Sequence, residues 1–419
     1  MTNRQVPSEW NEIKLSKCCR LQGGYAFKSS DYRISGTPII RISNIKNLQV
    51  DVEEAACVSN LDQYPEDYQV VHGDILIAMS GATTGKIGRY QLNNVSMLNQ
   101  RVGKFIPSLS LNNDFLFQLL QDGSVASQIL QDAVGGAQPN ISPGDILDVD
   151  FCLPPLPEQK KIARILSSVD SKLALIDQQI TTTQTLKKGL MQKLFTQGVG
   201  TQDADGRWQS HTEFQKTELG IMPVAWELTT IGQHCEFVNG YGFKPSDWDL
   251  SGLPIIRIQN LNGSKDFNYF SGIPKSEWLV PTGQLLFAWA GSKGASFGPK
   301  IWDGETGVLN QHIYKLEPTV SVDKQWFYNV LQRITTDIES RAHGFKSTLL
   351  HVKKGEITGQ IIALPSLAEQ KEIARILSTV DRKLEHLQTK KNQTQQLKKG
   401  LMQKLLTGQI RVQPDPQDH

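Results

Sequence analysis

LPEQKKIARILSSVDSKLALIDQQITTTQTLKKGLMQKLFT, from Leu156 to Thr196, returns as LAEQKEIARILSTVDRKLEHLQTKKNQTQQLKKGLMQKLLT from Leu367 to Thr407. The displacement is 211 residues without a gap, and 26 of the 41 aligned positions are identical. Self-similarity at that level means two copies of one unit. Apolar residues at Ile162, Leu166, Val169, Leu173, Ile176 and Ile180, then at Leu186, Leu190 and Leu194, step by three and four. That spacing puts them on one stripe of a helix. The twin stripe is Ile373, Leu377, Val380, Leu384 and Leu387, then Leu397, Leu401 and Leu405. Pro157 suits a first helical position, Ser366 with Glu369 reads as a capping box, and Gly198 and Gly408 suit the far ends.

A helix of about 40 residues is roughly 60 Å long, and this one has a single narrow apolar face. It therefore needs another helix. Its twin is the simplest partner, in an antiparallel coiled coil that relates the two halves by a pseudo-twofold. Thr183 and Gln184, and Lys391, Thr394 and Gln395, interrupt the stripes and either fix register or are tolerated weak spots. Gly189 and Gly400 each cost about 1 kcal/mol relative to Ala inside a helix. Their recurrence points to close approach by another backbone, either a partner protein's or the facing helix's.

The repeat extends upstream. Pro7–Trp10 aligns with Pro223–Trp226, GYAFKSSD from Gly24 with GYGFKPSD from Gly240, and SGTPIIRISNI from Ser35 with SGLPIIRIQNL from Ser251. Loop lengths then drift. Short β-type runs at Ile39–Ile42, Ile75–Met79, Val102–Ile106 and Val149–Leu153 are bounded by turn residues, and one helical pattern at Asn113–Asp132 is matched by Asp323–Arg341. The expected architecture is α+β, with domains at 1–155 and 218–366, long helices at 156–197 and 367–412, a polar linker at 198–217 and a tail at 413–419.

The 419 residues allow two or three domains, and 39% hydrophobic with 21% charged residues is ordinary soluble composition. No run of eighteen apolar residues and no basic-then-apolar leader occurs, so a membrane span and a secretory signal are not expected. Five cysteines without CxxC spacing fit a reducing cytoplasm. A net charge of +2 means that any basic surface is local.

Catalytic motifs are hard to find. Ser80-Gly81-Ala82-Thr83-Thr84-Gly85-Lys86 resembles a phosphate loop, but three residues separate its glycines and Ile87 stands where a magnesium-binding hydroxyl is needed. No HExxH, paired Cys/His spacing or GxSxG appears, so no metal or catalytic residue is assigned. Glu12 could belong to a nuclease only by a short, common spacing. The glycine loop instead offers amides, the hydroxyls of Ser80, Thr83 and Thr84, and Lys86, groups that grip phosphates or base edges. Asn99, Gln100, Arg101, Gln138 and Asn140 add amides and a guanidinium. The second half offers Ser292, Lys293, Asn310, Gln311, His312 and Lys346 in comparable places. Lys28 and Lys244 either join them or snorkel from a packed loop. Taken singly, each of these reads more readily as a turn residue or cap facing water. The helix charges, Glu158, Asp170 and Asp177 among them, read as a solvated face, with some of the lysines facing DNA as the sharper alternative.

Two variable domains, each followed by one copy of EQKxIARILSxxDxKL (Glu158–Leu173, Glu369–Leu384) and LKKGLMQKL, resemble the specificity subunit of a type I restriction-modification enzyme. The resemblance spans essentially the whole chain. It implies that each domain is a target-recognition domain for one half of an asymmetric bipartite DNA site, and that the helices space the domains and dock two methyltransferase subunits. It further implies restriction/translocase subunits, with S-adenosylmethionine, ATP and magnesium on the partners and no catalysis in this chain. Paired readers of this kind suit half-sites about one helical turn, roughly 34 Å, apart. A coiled-coil scaffold carrying peptide- or glycan-binding domains is the other reading of the layout.

Overall fold

The computed structural model describes residues 7–131, 140–341 and 349–416. The chain packs as two units, residues 1–179 with 387–419, and residues 180–386. Both long helices form, at Leu156–Leu194 and Leu367–Leu405. Each unit thus holds the start of one long helix and the end of the other.

In the first unit a six-stranded sheet runs in the order Cys19–Gly23, Val102–Pro107, Ile75–Ala78, Ile87–Arg89, Leu48–Val50, Ile45–Lys46. A four-stranded sheet has the order Cys57–Val58, Thr37–Ile40, Ser96–Leu98, Gln69–Val70, with Thr37–Ile40 and Ser96–Leu98 parallel. The ILIA run at Ile75–Ala78 is buried throughout because both faces of its strand are covered. Ile75 and Ile77 pack with Phe115, Leu116, Ile162 and Leu166, whereas Leu76 and Ala78 pack with Ile40, Leu98 and Val102. The expected helix over 113–132 is instead two, Asn113–Leu119 and Gly123–Leu130. The Asp122 carboxylate accepts the amides of Ser124 and Val125 and so starts the second helix afresh.

The second unit repeats the plan. Leu285–Ala288 is its buried central strand, between Ile313–Pro318 and Gly298–Ile301, and the parallel pair is Leu253–Ile256 with Gly307–Leu309. Leu285 and Phe287 face Trp326, Phe327 and Leu331 of the helix Lys324–Arg341, and Leu286 and Ala288 face the other sheet. Gly198–Thr217, expected as a linker, is folded: Thr201–Gln202 pairs with Trp208–Gln209, and Phe214–Thr217 pairs with Gly220–Pro223.

The EQ dipeptide explains much of this. In the first unit Gln159 accepts the Asn112 amide and donates to the carbonyls of Ser110 and Pro154; in the second, Gln370 accepts the Asp323 amide and donates to Ser321 and Pro365. Glu158 and Glu369, exposed by only 2% and 1%, are not solvated charges. Glu158 accepts Trp10 Nε1 at 2.9 Å and both Nε and Nη2 of Arg411. Its hydrogen bonds, followed by those from Glu9, raise the Arg411 pKa above its ordinary value. Glu369 accepts Trp226 Nε1 at 2.8 Å, the amides of Val199 and Gly200, and a contact from His211 Nε2 at 3.0 Å. Ser366 does cap the Glu369 amide, but the Glu369 carboxylate is committed elsewhere, so the capping box closes on one side only.

Within the first unit Lys398 Nζ meets Asp170 and Lys391 Nζ meets Asp177, each at 2.6 Å. As one number rises the other falls, so these helix segments run antiparallel. Within the second unit Lys187 meets Asp381 at 2.6 Å. Ile162, Leu166, Val169, Ile176, Ile373, Leu377 and Leu387 are buried, while Leu173, Val380 and Leu384 are half-buried. Leu186 and Leu397 depart from the expected stripe, at 53% and 52% exposed. Thr183 and Thr394 are buried in their stead. A Cβ built at Gly189 or Gly400 meets nothing within 4 Å, so the facing helix does not require these glycines.

Candidate nucleic-acid interface

In the first unit the ends of several strands are knitted together by backbone hydrogen bonds. The Tyr25 amide donates to Leu98 O, Gln100 to Tyr25 O, Asn99 to Ile40 O, and Met79 to Arg101 O. Ser80 bridges Asn140. The Thr83 hydroxyl donates to Ile42 O at 3.3 Å, which ties the glycine loop to the turn after Thr37–Ile40. One rim therefore carries Ser80, Thr83, Gln100, Arg101 and Asn140, brought together from three stretches of the chain. Gln100, Arg101, Asn140 and Lys86 are exposed. Asn99 is not: it is 8% exposed, and its side-chain oxygen accepts the Arg101 amide, so it shapes the turn. Thr84 donates to Gly81 O at 2.7 Å across the loop, whose glycines take φ of +77° and +79°. That left-handed geometry is cheap only for glycine. Lys28 is exposed beside the aromatic group Tyr25, Phe27, Tyr64 and Tyr68.

The second unit builds the equivalent rim with other residues. The Tyr241 amide donates to Leu309 O and Asn310 to Ile256 O, matching Tyr25 and Asn99. Gln311 and His312 follow, and Gln311 O accepts Trp289 Nε1 at 3.2 Å. Trp289 lies 5.2 Å from His312 and 6.0 Å from His351, centroid to centroid. Trp289 and His351 were not expected, because nothing in their local spacing marks them; pairing of Ala290–Ser292 with Leu349–His351 brings them in. Ser292 lies in that pair, its amide donating to Ser296 Oγ, and Lys293 heads a turn whose Gly294 amide donates to Glu339. Lys244 is exposed next to Phe243. Gln138 and Lys346 lie outside the described residues.

The turn that follows the parallel strand is closed in the same way in both units, although it is a 3-10 turn at Ile42–Asn44 and an α turn at Ile258–Leu261. Arg41 opens Arg41–Asn44, and its amide donates to Asn44 Oδ1 at 2.9 Å. The Arg257 amide donates to Asn260 Oδ1 at 3.0 Å. Sequence reading passed over both arginines, although the matched IIRISN and IIRIQN hold the signal. Among the described residues no group of three or more His, Cys, Asp or Glu is placed to hold a metal, and no helix is long and apolar enough to cross a membrane.

Two α+β units that repeat one strand-end rim, with side chains that differ in part, define a duplicated protein. The family described as "Type I restriction modification DNA specificity domain" matches residues 7–183 and again 223–396, and the chain belongs to that family. It is 28% identical to the putative type I restriction enzyme MjaX specificity subunit of Methanocaldococcus jannaschii, over 97% of this chain and 95% of that one. It is 24% identical to the EcoKI specificity subunit of Escherichia coli, over 90% and 82%. The fold is similar to that of the type I restriction-modification S subunit from M. genitalium, with a TM-score of 0.59 at 17% identity, covering 97% of this chain and 98% of that one.

Proposed function

We propose that this chain is the sequence-specific DNA-binding subunit of a type I restriction-modification complex, each unit reading one half of an asymmetric bipartite site. The observation that carries the reading is the duplicated rim. The same backbone frame displays Gln100 and Arg101 in one unit and Gln311 and His312 in the other, and side chains of these kinds meet base edges. The glutamine is shared, but Arg101 stands where the other unit has His312, and unlike side chains on like frames imply unlike half-sites.

Under this reading residues 1–155 and 218–366 are the target-recognition domains. The helices 156–197 and 367–412 form an antiparallel coiled coil that spaces the half-sites and docks two methyltransferase subunits. The antiparallel ion pairs at Asp170–Lys398 and Asp177–Lys391 support that pairing. The chain itself performs no catalysis; S-adenosylmethionine, ATP and magnesium belong to methyltransferase and restriction/translocase partners, in the cytoplasm. Exchanging residues 8–155 for another reader, followed by mapping of methylated adenines, tests this. One half of the modified sequence should change and the other stay. An unaltered sequence would sink the reading in favour of a scaffold.

A further inference from the structure

Arg41 and Arg257 occupy one place in the two units. Each follows a parallel strand whose last residue, Ile40 or Ile256, accepts the amide of the rim asparagine. Each guanidinium lies over an aromatic ring of the matched GYxFKxSD segment's end, Arg41 6.0 Å from the Tyr32 centroid and Arg257 5.2 Å from that of Trp248. In both, Nε is buried without a hydrogen-bond partner among the described residues, and neither arginine has an ion pair there. Arg257 Nη2 donates to the neutral side chain of Asn268. Nε itself is closed to solvent, so an outside group would meet the rest of the guanidinium, which has no carboxylate partner among the described residues at either place.

We propose that Arg41 and Arg257 clamp the phosphodiester backbone, one phosphate in each half-site. This rests on the DNA-recognition reading above and adds which residues position the duplex. The rim side chains that differ between the units, such as Arg101 against His312, are those that readers of different bases require. The arginine, the asparagine that closes its turn and a ring under its guanidinium recur in both units, the ring being Tyr32 in one and Trp248 in the other, so their target is common to any half-site. Backbone phosphate is that target, and a guanidinium held in plane by a ring presents its donors to it bidentately.

The test uses the chain assembled with its methyltransferase subunits. Binding to a duplex bearing the methylated sequence and to a random duplex is measured over a salt series, for wild type, Arg41→Gln, Arg257→Gln and the Arg→Lys variants. Each Gln variant should weaken binding about tenfold on both duplexes alike and reduce the steepness of the log K against log salt plot by about 1. The Lys variants should keep the wild-type steepness. Modified half-sites should be unchanged throughout. An unaltered salt dependence in a folded Gln variant overturns the proposal, as does relaxed base preference in either half-site. Should Gln disturb folding, Lys carries the test: a folded Lys variant that loses target preference while keeping its affinity for random DNA also overturns it. Failure of the broader reading looks different, because the wild-type complex would then not prefer its own sequence.

Discussion

Glu369 is a charged residue taken almost wholly out of water, and its four donors come from three separate stretches: Trp226, the Val199 and Gly200 amides, and His211. Glu369→Gln turns an NH2 group towards some of these donors, and the unpaired groups should cost about 2–4 kcal/mol. The expected readout is a lower unfolding midpoint, with hydrogen-exchange protection lost first at residues 198–211. The thiols make a second test. Burial pushes Cys19 and Cys235 up to about 12 and Cys18 up to about 11. Native protein should therefore resist a thiolate-specific reagent at pH 8 and react fully on unfolding. Because these folded values lie above the ordinary one, their stabilisation is complete below about pH 9 and declines as pH rises towards 12. The thermal midpoint should fall from pH 9 to 10.5, less steeply in a Cys19→Ala, Cys235→Ala variant. The thiols could be read as buried or idle from the sequence, but the two carboxylates could not: periodicity reports which face a residue occupies, and Glu158 and Glu369 look like surface charges until the chain after the opposite helix folds over them.

At the scale of elements, the long helices were legible almost end to end, because a step of three and four over many turns has one interpretation. Their seam was less so. From Ile176 and Ile180 the apolar track can continue through Leu186 or through Thr183, Lys187 and Leu190, and hydrophobicity favours Leu186. Partner geometry decides otherwise: Thr183 is buried and Lys187 reaches Asp381, so Leu186 is turned outward. The rim was legible by residue type but not by burial, as Asn99 shows. An ion pair in this seam should contribute more than one on the surface. Lys398 is 12% exposed and also donates to Gln121, and Asp170 also accepts from Gln118. A double-mutant cycle of Asp170→Asn with Lys398→Gln should give a coupling of about 1 kcal/mol or more, against near zero for the exposed Lys46–Asp51 pair. Gly189→Ala and Gly400→Ala meet open space and should each stabilise the free chain by about 0.5–1 kcal/mol. If a methyltransferase backbone approaches there, the same variants assemble more weakly, and titration of the partner separates the two effects.

At the scale of the whole molecule, duplication divides the work between a constant frame and a variable surface. The long helices carry 26 identities in 41 positions, whereas the rims share backbone hydrogen bonds but few side chains. Selection on the frame and on the surface is then separable, and so are their perturbations. Under the proposed function, a change to one rim alters one set of bases, and a change in helix length alters how many unread base pairs lie between the half-sites. Adding seven residues in register to the middle of each helix lengthens both by roughly 10 Å and keeps every seam residue on its face. At about 3.4 Å per step of a strand, the unread gap should grow by about three base pairs. Mapping modified adenines in cells carrying the lengthened chain should return both half-sites unaltered on either side of that longer gap. A gap of the original size, with the lengthened protein folded and methylating, would show that something other than the helices sets the spacing.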